Sequence, residues 1–117
     1  MTIRDLLRKE SIQLNGTATG KNDLLDQMVA LMAKGGNIAD LETYKKGVYE
    51  RESEGTTGIG EGIAIPHCKS DAVSEPGLAA MVLPQGVDFD SLDGEPVTLI
   101  LSQRMRRFQW SVLMGKK

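Results

Sequence analysis

One stretch of this chain gathers residue types that could handle a phosphoryl group: Gly58-Ile59-Gly60-Glu61-Gly62-Ile63-Ala64-Ile65-Pro66-His67. His67 is the only histidine in the sequence. An imidazole with an ordinary pKa of about 6.5 is largely neutral near pH 7. A neutral ring can attack through one nitrogen while an acceptor holds the proton of the other. The N–P bond that forms is reactive, so the group can pass to a second nucleophile. Such transfer depends on alignment and charge stabilisation more than on acid–base work, and nearby N–H groups with one arginine suffice. Gly58, Gly60 and Gly62 place no side chain between their backbone N–H groups and an anion. Glu61, among them, can orient the ring, repel phosphate or simply meet solvent. Pro66 fixes its own φ and pushes Ile65 toward an extended shape, so His67 leaves a strand end in a restricted direction. Each feature alone is common in surface turns. The glycines lack the third position of a dinucleotide fingerprint, and no Lys-Ser or Lys-Thr pair makes a phosphate-binding P-loop of them.

The elements that must position these residues are readable from pattern. Thr2 with Asp5 suggests a helix start, with Ile3, Leu6 and Leu7 on one face. Ser11 to Leu14 alternates as a short strand does, and Asn15-Gly16 turns the chain. Lys21 to Lys34 is the clearest helix. Its stripe is Leu24, Leu25, Met28, Val29, Leu31 and Met32, and Gly35-Gly36 ends it. Asp40 can cap a further helix through about Ser53, with Leu41, Tyr44 and Val48 facing inward. Beyond the glycines the texture changes. Ile63-Ala64-Ile65, Leu78 to Leu83 and Val97 to Leu101 read as buried strands, with Val87 to Phe89 a possible edge extension. Helices first and strands later predict an α+β domain, helices packed on a small mixed sheet.

The 117 residues fit one domain. No apolar run has the length a bilayer requires, and the N-terminus lacks the apolar core of a signal peptide, so a soluble cytoplasmic protein is expected. Cys68 is the only cysteine, which excludes an internal disulfide, and no Cys/His cluster could hold zinc. No cofactor is expected. The charge is uneven. Sixteen acidic and nine basic residues lie at or before Glu95, while the five basic residues after it face no acid.

The string from Gly58 to His67 resembles the phosphorylation-site motif of the fructose/mannitol-type enzyme IIA family of the bacterial sugar phosphotransferase system. The similarity extends to Glu50-Arg51-Glu52 before Gly55-Thr56-Thr57-Gly58, to Glu75-Pro76-Gly77, and to Leu92-Asp93-Gly94-Glu95-Pro96-Val97. It covers about residues 1–101, and the fructose-like branch is the nearer. The resemblance implies an α/β/α three-layer fold with a mixed sheet between helices. It implies that His67 accepts phosphate from the phosphocarrier protein HPr and passes it to a cysteine of enzyme IIB, in the service of the membrane component enzyme IIC. It implies a role for Arg51, which falls where the family places an active-site arginine, in holding phosphoryl oxygens.

Residues 102–117 depart from that pattern. They form a basic tail, Arg104, Arg106 and Arg107 with Phe108 and Trp110, where the family continues its strand, carries a second active-site histidine and adds helices. The expectation is a truncated or frame-shifted C-terminus, an exposed sheet face prone to self-association, and impaired transfer. Two other readings are open. A nitrogen-type regulatory relative would be phosphorylated on the same histidine but act on partner proteins. A nucleic-acid-binding module would use the basic tail, although the acidic body argues against nucleic acid as a partner.

Overall fold

The computed structural model describes residues 7–34, 41–69 and 77–105. The proposed start at Thr2–Asp5, the Gly35-Gly36 stop, the Asp40 cap and the tail beyond Met105 lie outside the described residues. In chain order the elements are β1 (Leu7–Gln13), α1 (Lys21–Lys34), α2 (Leu41–Ser53), β2 (Gly58–Gly60), β3 (Ile63–Ala64), β4 (His67–Lys69), β5 (Gly77–Val87) and β6 (Val97–Met105). The strands form one mixed sheet in the order β1-β5-β6-β3-β2, with β4 also paired to β6. β1 runs parallel to β5, β5 antiparallel to β6, and β3 and β4 both parallel to β6. The fold is α+β, as the element order predicts.

α1 begins cleanly because the Asp23 carboxylate reaches back to the Thr19 N–H at 2.9 Å, and an acid in the first turn also suits the helix dipole. All six residues of its apolar stripe are buried. They meet the inner face of the sheet, where Ala79, Met81, Leu83 and Ile100 are at most 1% exposed. Tyr44 and Val48 of α2 complete this core. The two helices also pack on each other. Tyr49 Oη lies 2.6 Å from Asp26 Oδ1 and 3.0 Å from the Asn22 carbonyl oxygen, and Lys45 Nζ is 3.3 Å from Asp26 Oδ1. Burial, reinforced by the Asp26 carboxylate, pushes the Tyr49 hydroxyl up to about 12, so the phenol keeps its proton. In the same contact the Tyr49 hydrogen bond, followed by Lys45, holds Asp26 below the usual carboxylate range.

Several features differ from the sequence pattern. β1 starts at Leu7 rather than Ser11, because pairing of Leu7 with Leu78 takes the residue into the sheet instead of onto a helical face. β5 runs on through Pro84-Gln85-Gly86 to Val87. A register shift between Val82 and Val87 and the positive φ of Gly86, 75°, absorb the proline. Leu41, the first residue of α2, is 40% exposed rather than inward. The sheet's other face carries Ile12, Val82, Leu99 and Leu101, half-buried or exposed.

Leu24 is fully buried where α1 meets the sheet. Leu24→Ala is expected to cost about 2–5 kcal/mol, through lost transfer energy plus the cavity left behind. Urea unfolding should show a lower midpoint with an unchanged slope.

Candidate functional site

The edge of β6 is lined first by β3 and then by β4. Ile63 and Ala64 pair with Leu99 and Ile100, and His67 pairs with Gln103. The two short strands are separated by Ile65-Pro66, where the chain steps off the edge. Proline has no N–H to give, and its carbonyl accepts the Gln103 N–H instead, at 3.3 Å. The Ile65 N–H turns away from β6 to the Thr57 carbonyl oxygen, at 3.0 Å. His67 therefore emerges where one strand segment has ended and the next begins.

His67 Nδ1 lies 2.9 Å from the Ile65 carbonyl oxygen. A carbonyl can only accept, so Nδ1 carries the proton and the neutral ring has its lone pair on Nε2. The ring is half-buried at an open concavity of about 220 Å³. Arg51, Thr56, Thr57, Ile59, Ile65 and Gln103 line the rest of it. Arg51 sits in the last turn of α2, and its Nη1 donates to the Gly55 carbonyl oxygen at 2.9 Å, which fixes the guanidinium at the rim. A nucleophile with a defined tautomer and a fixed cation thus face one space.

The glycine-rich segment holds a different position from the one its composition suggests. Gly58, Gly60, Glu61 and Gly62 do not line the concavity. The Gly58 N–H is bonded to Thr56 Oγ1 at 3.0 Å and the Glu61 N–H to the Asp93 carboxylate at 2.9 Å, so both are engaged within the chain. The segment is a hairpin, β2 to β3, whose tight turn places Glu61 at φ 57° and Gly62 at φ 78°. Two successive positive φ values make the primed kind of turn that hairpin twist favours. Glycine suits the second of them, and Gly58 is required for close approach, since a Cβ there would collide with Ser91 Oγ.

Comparison with known proteins then decides the family. The profile described as "Phosphoenolpyruvate-dependent sugar phosphotransferase system, EIIA 2" matches residues 5–105. The chain belongs to this EIIA 2 family. Among curated relatives, it is 44% identical over 100 residues to the PTS system fructose-specific EIIABC component of Bacillus subtilis, a match that spans 86% of this chain and 16% of that protein. It is 37% identical over 91 residues to the PTS system fructose-specific EIIA component of Haloferax volcanii, spanning 78% of this chain and 59% of the relative. The chain thus spans well under two thirds of these relatives' lengths. Among solved structures, Nitrogen Regulatory Protein IIA-Ntr from Neisseria meningitidis superposes with a TM-score of 0.81 at 26% identity, covering 95% of this chain and 78% of that one. The complex of enzyme IIAMTL and phosphorylated enzyme IIBMTL from Escherichia coli shares the fold, with a TM-score of 0.79 at 24% identity and coverage of 94% and 78%.

An EIIA 2 domain is a phosphotransferase component, and its chemistry needs an ordered site. Two carboxylates that order this one were not singled out from sequence. Glu52 is buried behind Thr57, and Asp93 ties the hairpin turn to the loop before β6. Asp93 Oδ2 accepts from Glu61 and Oδ1 from Glu95, at 2.9 and 3.0 Å. The only sequence signals were their places in Glu50-Arg51-Glu52 and Leu92-Asp93-Gly94. Among the described residues of this EIIA 2 chain, no helix is long and apolar enough to cross a membrane.

These backbone hydrogen bonds, that from Glu61 first, hold the Asp93 carboxyl below its ordinary 3.8. A carboxyl depressed in the folded state stabilises it fully above the unfolded-state value and loses that contribution as pH falls through the folded one. The melting-temperature gap between the wild-type chain and Asp93→Asn is therefore expected to be largest above pH 5 and to close as pH falls below about 4. Thermal melts across that range check it.

Proposed function

We propose that this domain is a cytoplasmic phosphocarrier that holds a phosphoryl group on His67, accepting it from phospho-HPr and passing it to a cysteine of enzyme IIB. Uptake and phosphorylation of a fructose-type sugar by a membrane enzyme IIC would be its purpose. The observation that carries this reading is the Nδ1 contact with the Ile65 carbonyl oxygen, which leaves the attacking lone pair on Nε2 of a ring that lines the same concavity as Arg51. Nε2 attacks the donor's phosphorus. The bond from phosphorus to the donor's nitrogen breaks, and its electron pair returns to the donor ring. The product ring keeps its Nδ1 proton, with the positive charge it gains facing a carbonyl oxygen. Arg51 holds the phosphoryl oxygens through this step. In the next step a thiolate of enzyme IIB attacks the phosphorus and His67 leaves as neutral imidazole.

The likeness to a solved nitrogen regulatory IIA protein favours one second reading, in which phosphorylated His67 sets the affinity for a regulatory protein partner. Both readings require the phosphohistidine, and transfer to enzyme IIB separates them.

Incubation with enzyme I, HPr and labelled phosphoenolpyruvate should label the chain. The label should be acid-labile and base-stable and absent from His67→Ala. Arg51→Ala should slow labelling about ten- to a hundred-fold, the effect of losing a charge-assisted contact of roughly 1.5–3 kcal/mol. Label that persists in His67→Ala would reject the phosphocarrier reading. Label that forms but never moves to a fructose-type enzyme IIB would favour the regulatory one.

A further inference from the structure

Glu52 is 7% exposed, and its carboxylate is met on several sides. Oε2 accepts the Thr57 backbone N–H at 2.8 Å, and Oε1 accepts the Thr57 hydroxyl at 2.6 Å. Lys21 Nζ, from the first turn of α1, lies 3.0 Å from Oε2 and 4.8 Å from the centroid of the fully buried Phe89 ring. A buried carboxylate is tolerated only with such partners, so each of them is held in place.

The contacts do not stop at Thr57. Its carbonyl oxygen accepts the Ile65 N–H at 3.0 Å, and the Ile65 carbonyl oxygen accepts from His67 Nδ1 at 2.9 Å. An unbroken series of polar contacts therefore runs from Lys21 through Glu52, Thr57 and Ile65 to the imidazole. Thr56 braces the same loop, with Oγ1 donating to the Phe89 carbonyl oxygen at 3.1 Å and accepting the Gly58 N–H at 3.0 Å. Pro66 has no N–H to tie the Ile65 carbonyl's own peptide to β6, and the first tie beyond it is the Gln103 N–H on the Pro66 carbonyl.

We propose that Glu52, anchored by Lys21, is a positioning residue for the phosphoryl-accepting ring: it holds Thr57, whose carbonyl holds the Ile65 backbone through its N–H, and the Ile65 carbonyl one Cα further on sets the tautomer and direction of His67. The proposal rests on the phosphocarrier reading for its effect on rate, but its effect on the ring stands apart from any partner. Thr57 is the link that transmits it. Its two donors meet both oxygens of one carboxylate, so its φ and χ1 cannot drift without breaking a buried hydrogen bond, and its ψ is held by the Ile65 N–H on its carbonyl. A ring turned by a few tenths of an ångström loses in-line attack even though every reacting group is still present.

His67 is the sole histidine, so its ring nitrogens are unambiguous in a 15N NMR spectrum of the full chain. The wild-type chain should show one neutral tautomer, protonated at Nδ1. Thr57→Val keeps the side-chain shape and removes the hydroxyl donor, and Glu52→Gln keeps the volume and removes the charge. Both should show a mixture of tautomers. With enzyme I and HPr, both should lower kcat for labelling at least about ten-fold, while KM for phospho-HPr stays within about two-fold. The double variant should be no slower than the worse single one, because both changes cut the same series of contacts. Glu52→Asp should restore less than half of the lost rate, its carboxylate being one methylene short.

Melting curves give the folded fraction of each variant, and a purely structural role would make kcat fall only in proportion to it. Such proportional loss, or a folded Thr57→Val chain with a single Nδ1–H tautomer and wild-type kcat, overturns the proposal. If Glu52→Gln does not fold, Thr57→Val decides alone. Persistent labelling of His67→Ala would instead reject the phosphocarrier reading, and the tautomer measurement would still judge the positioning role.

Discussion

A carboxylate taken out of water must be met by donors, and at the end of α2 that demand organises the structure around it. Glu52 draws Lys21 from the start of α1 and both donors of Thr57 from the loop leaving α2. One side chain thereby joins the two helices to the segment that leads into the β2–β3 hairpin. Burying a charged pair rarely adds much net stability, because desolvation offsets the attraction. What it adds is directional demand. An apolar residue at the same place could fill the space but would leave the Thr57 N–H to find another acceptor, and the loop would have several ways to settle.

The hairpin itself meets a similar constraint by other means. Its turn requires two residues in the left-handed region, and only one of them is glycine. Glu61 at φ 57° is disfavoured by its Cβ, by roughly 1–2 kcal/mol for a residue of this kind. Asp93 offsets that cost by accepting the Glu61 N–H from across the loop. The hairpin and the loop before β6 are thus mutually supporting: the turn holds its conformation because Asp93 is present, and Asp93 is placed by its own loop through the Glu95 N–H. Glycine at position 58 serves close packing and at position 62 turn geometry.

How far the sequence could be read follows from the range of the interactions involved. The stripe of α1 was legible residue by residue, since helical period and the glycines after Lys34 are local signals. Leu78 to Leu83 and Val97 to Leu101 were legible as apolar runs. The strand ends were not, because pairing with distant strands sets them. Leu7 joins a strand only because Leu78 lies beside it, and β5 crosses Pro84 only because a register shift accommodates it. At the site, the string ending in His67 and the position of Arg51 could be recognised, and the fold brings both to one concavity. The roles of Glu52 and Asp93 could not, since each depends on where a distant loop comes to rest. The separation of 32 positions between Glu61 and Asp93 leaves no periodic trace.

The choice of partner for His67 bears on what a relay must do. A carboxylate at Nδ1 would strengthen Nε2 as a nucleophile, but it would also stabilise the charged phosphorylated ring by a direct ion pair. The group would load readily and leave reluctantly. A main-chain carbonyl orients the ring and selects the tautomer without supplying a full negative charge. In the proposed phosphocarrier role, loading and unloading would then stay closer in free energy, which suits a group accepted from one nucleophile and surrendered to another. The requirement shifts from electrostatics to geometry, because a neutral acceptor holds the ring only as firmly as its own peptide is held. The Thr57 carbonyl holds the Ile65 N–H on one side of that acceptor, and the Gln103 N–H holds the Pro66 carbonyl on the other. A histidine oriented by a main-chain carbonyl draws on how firmly that backbone is held, and the buried Glu52 carboxylate holds it from Thr57, the residue whose carbonyl meets Ile65.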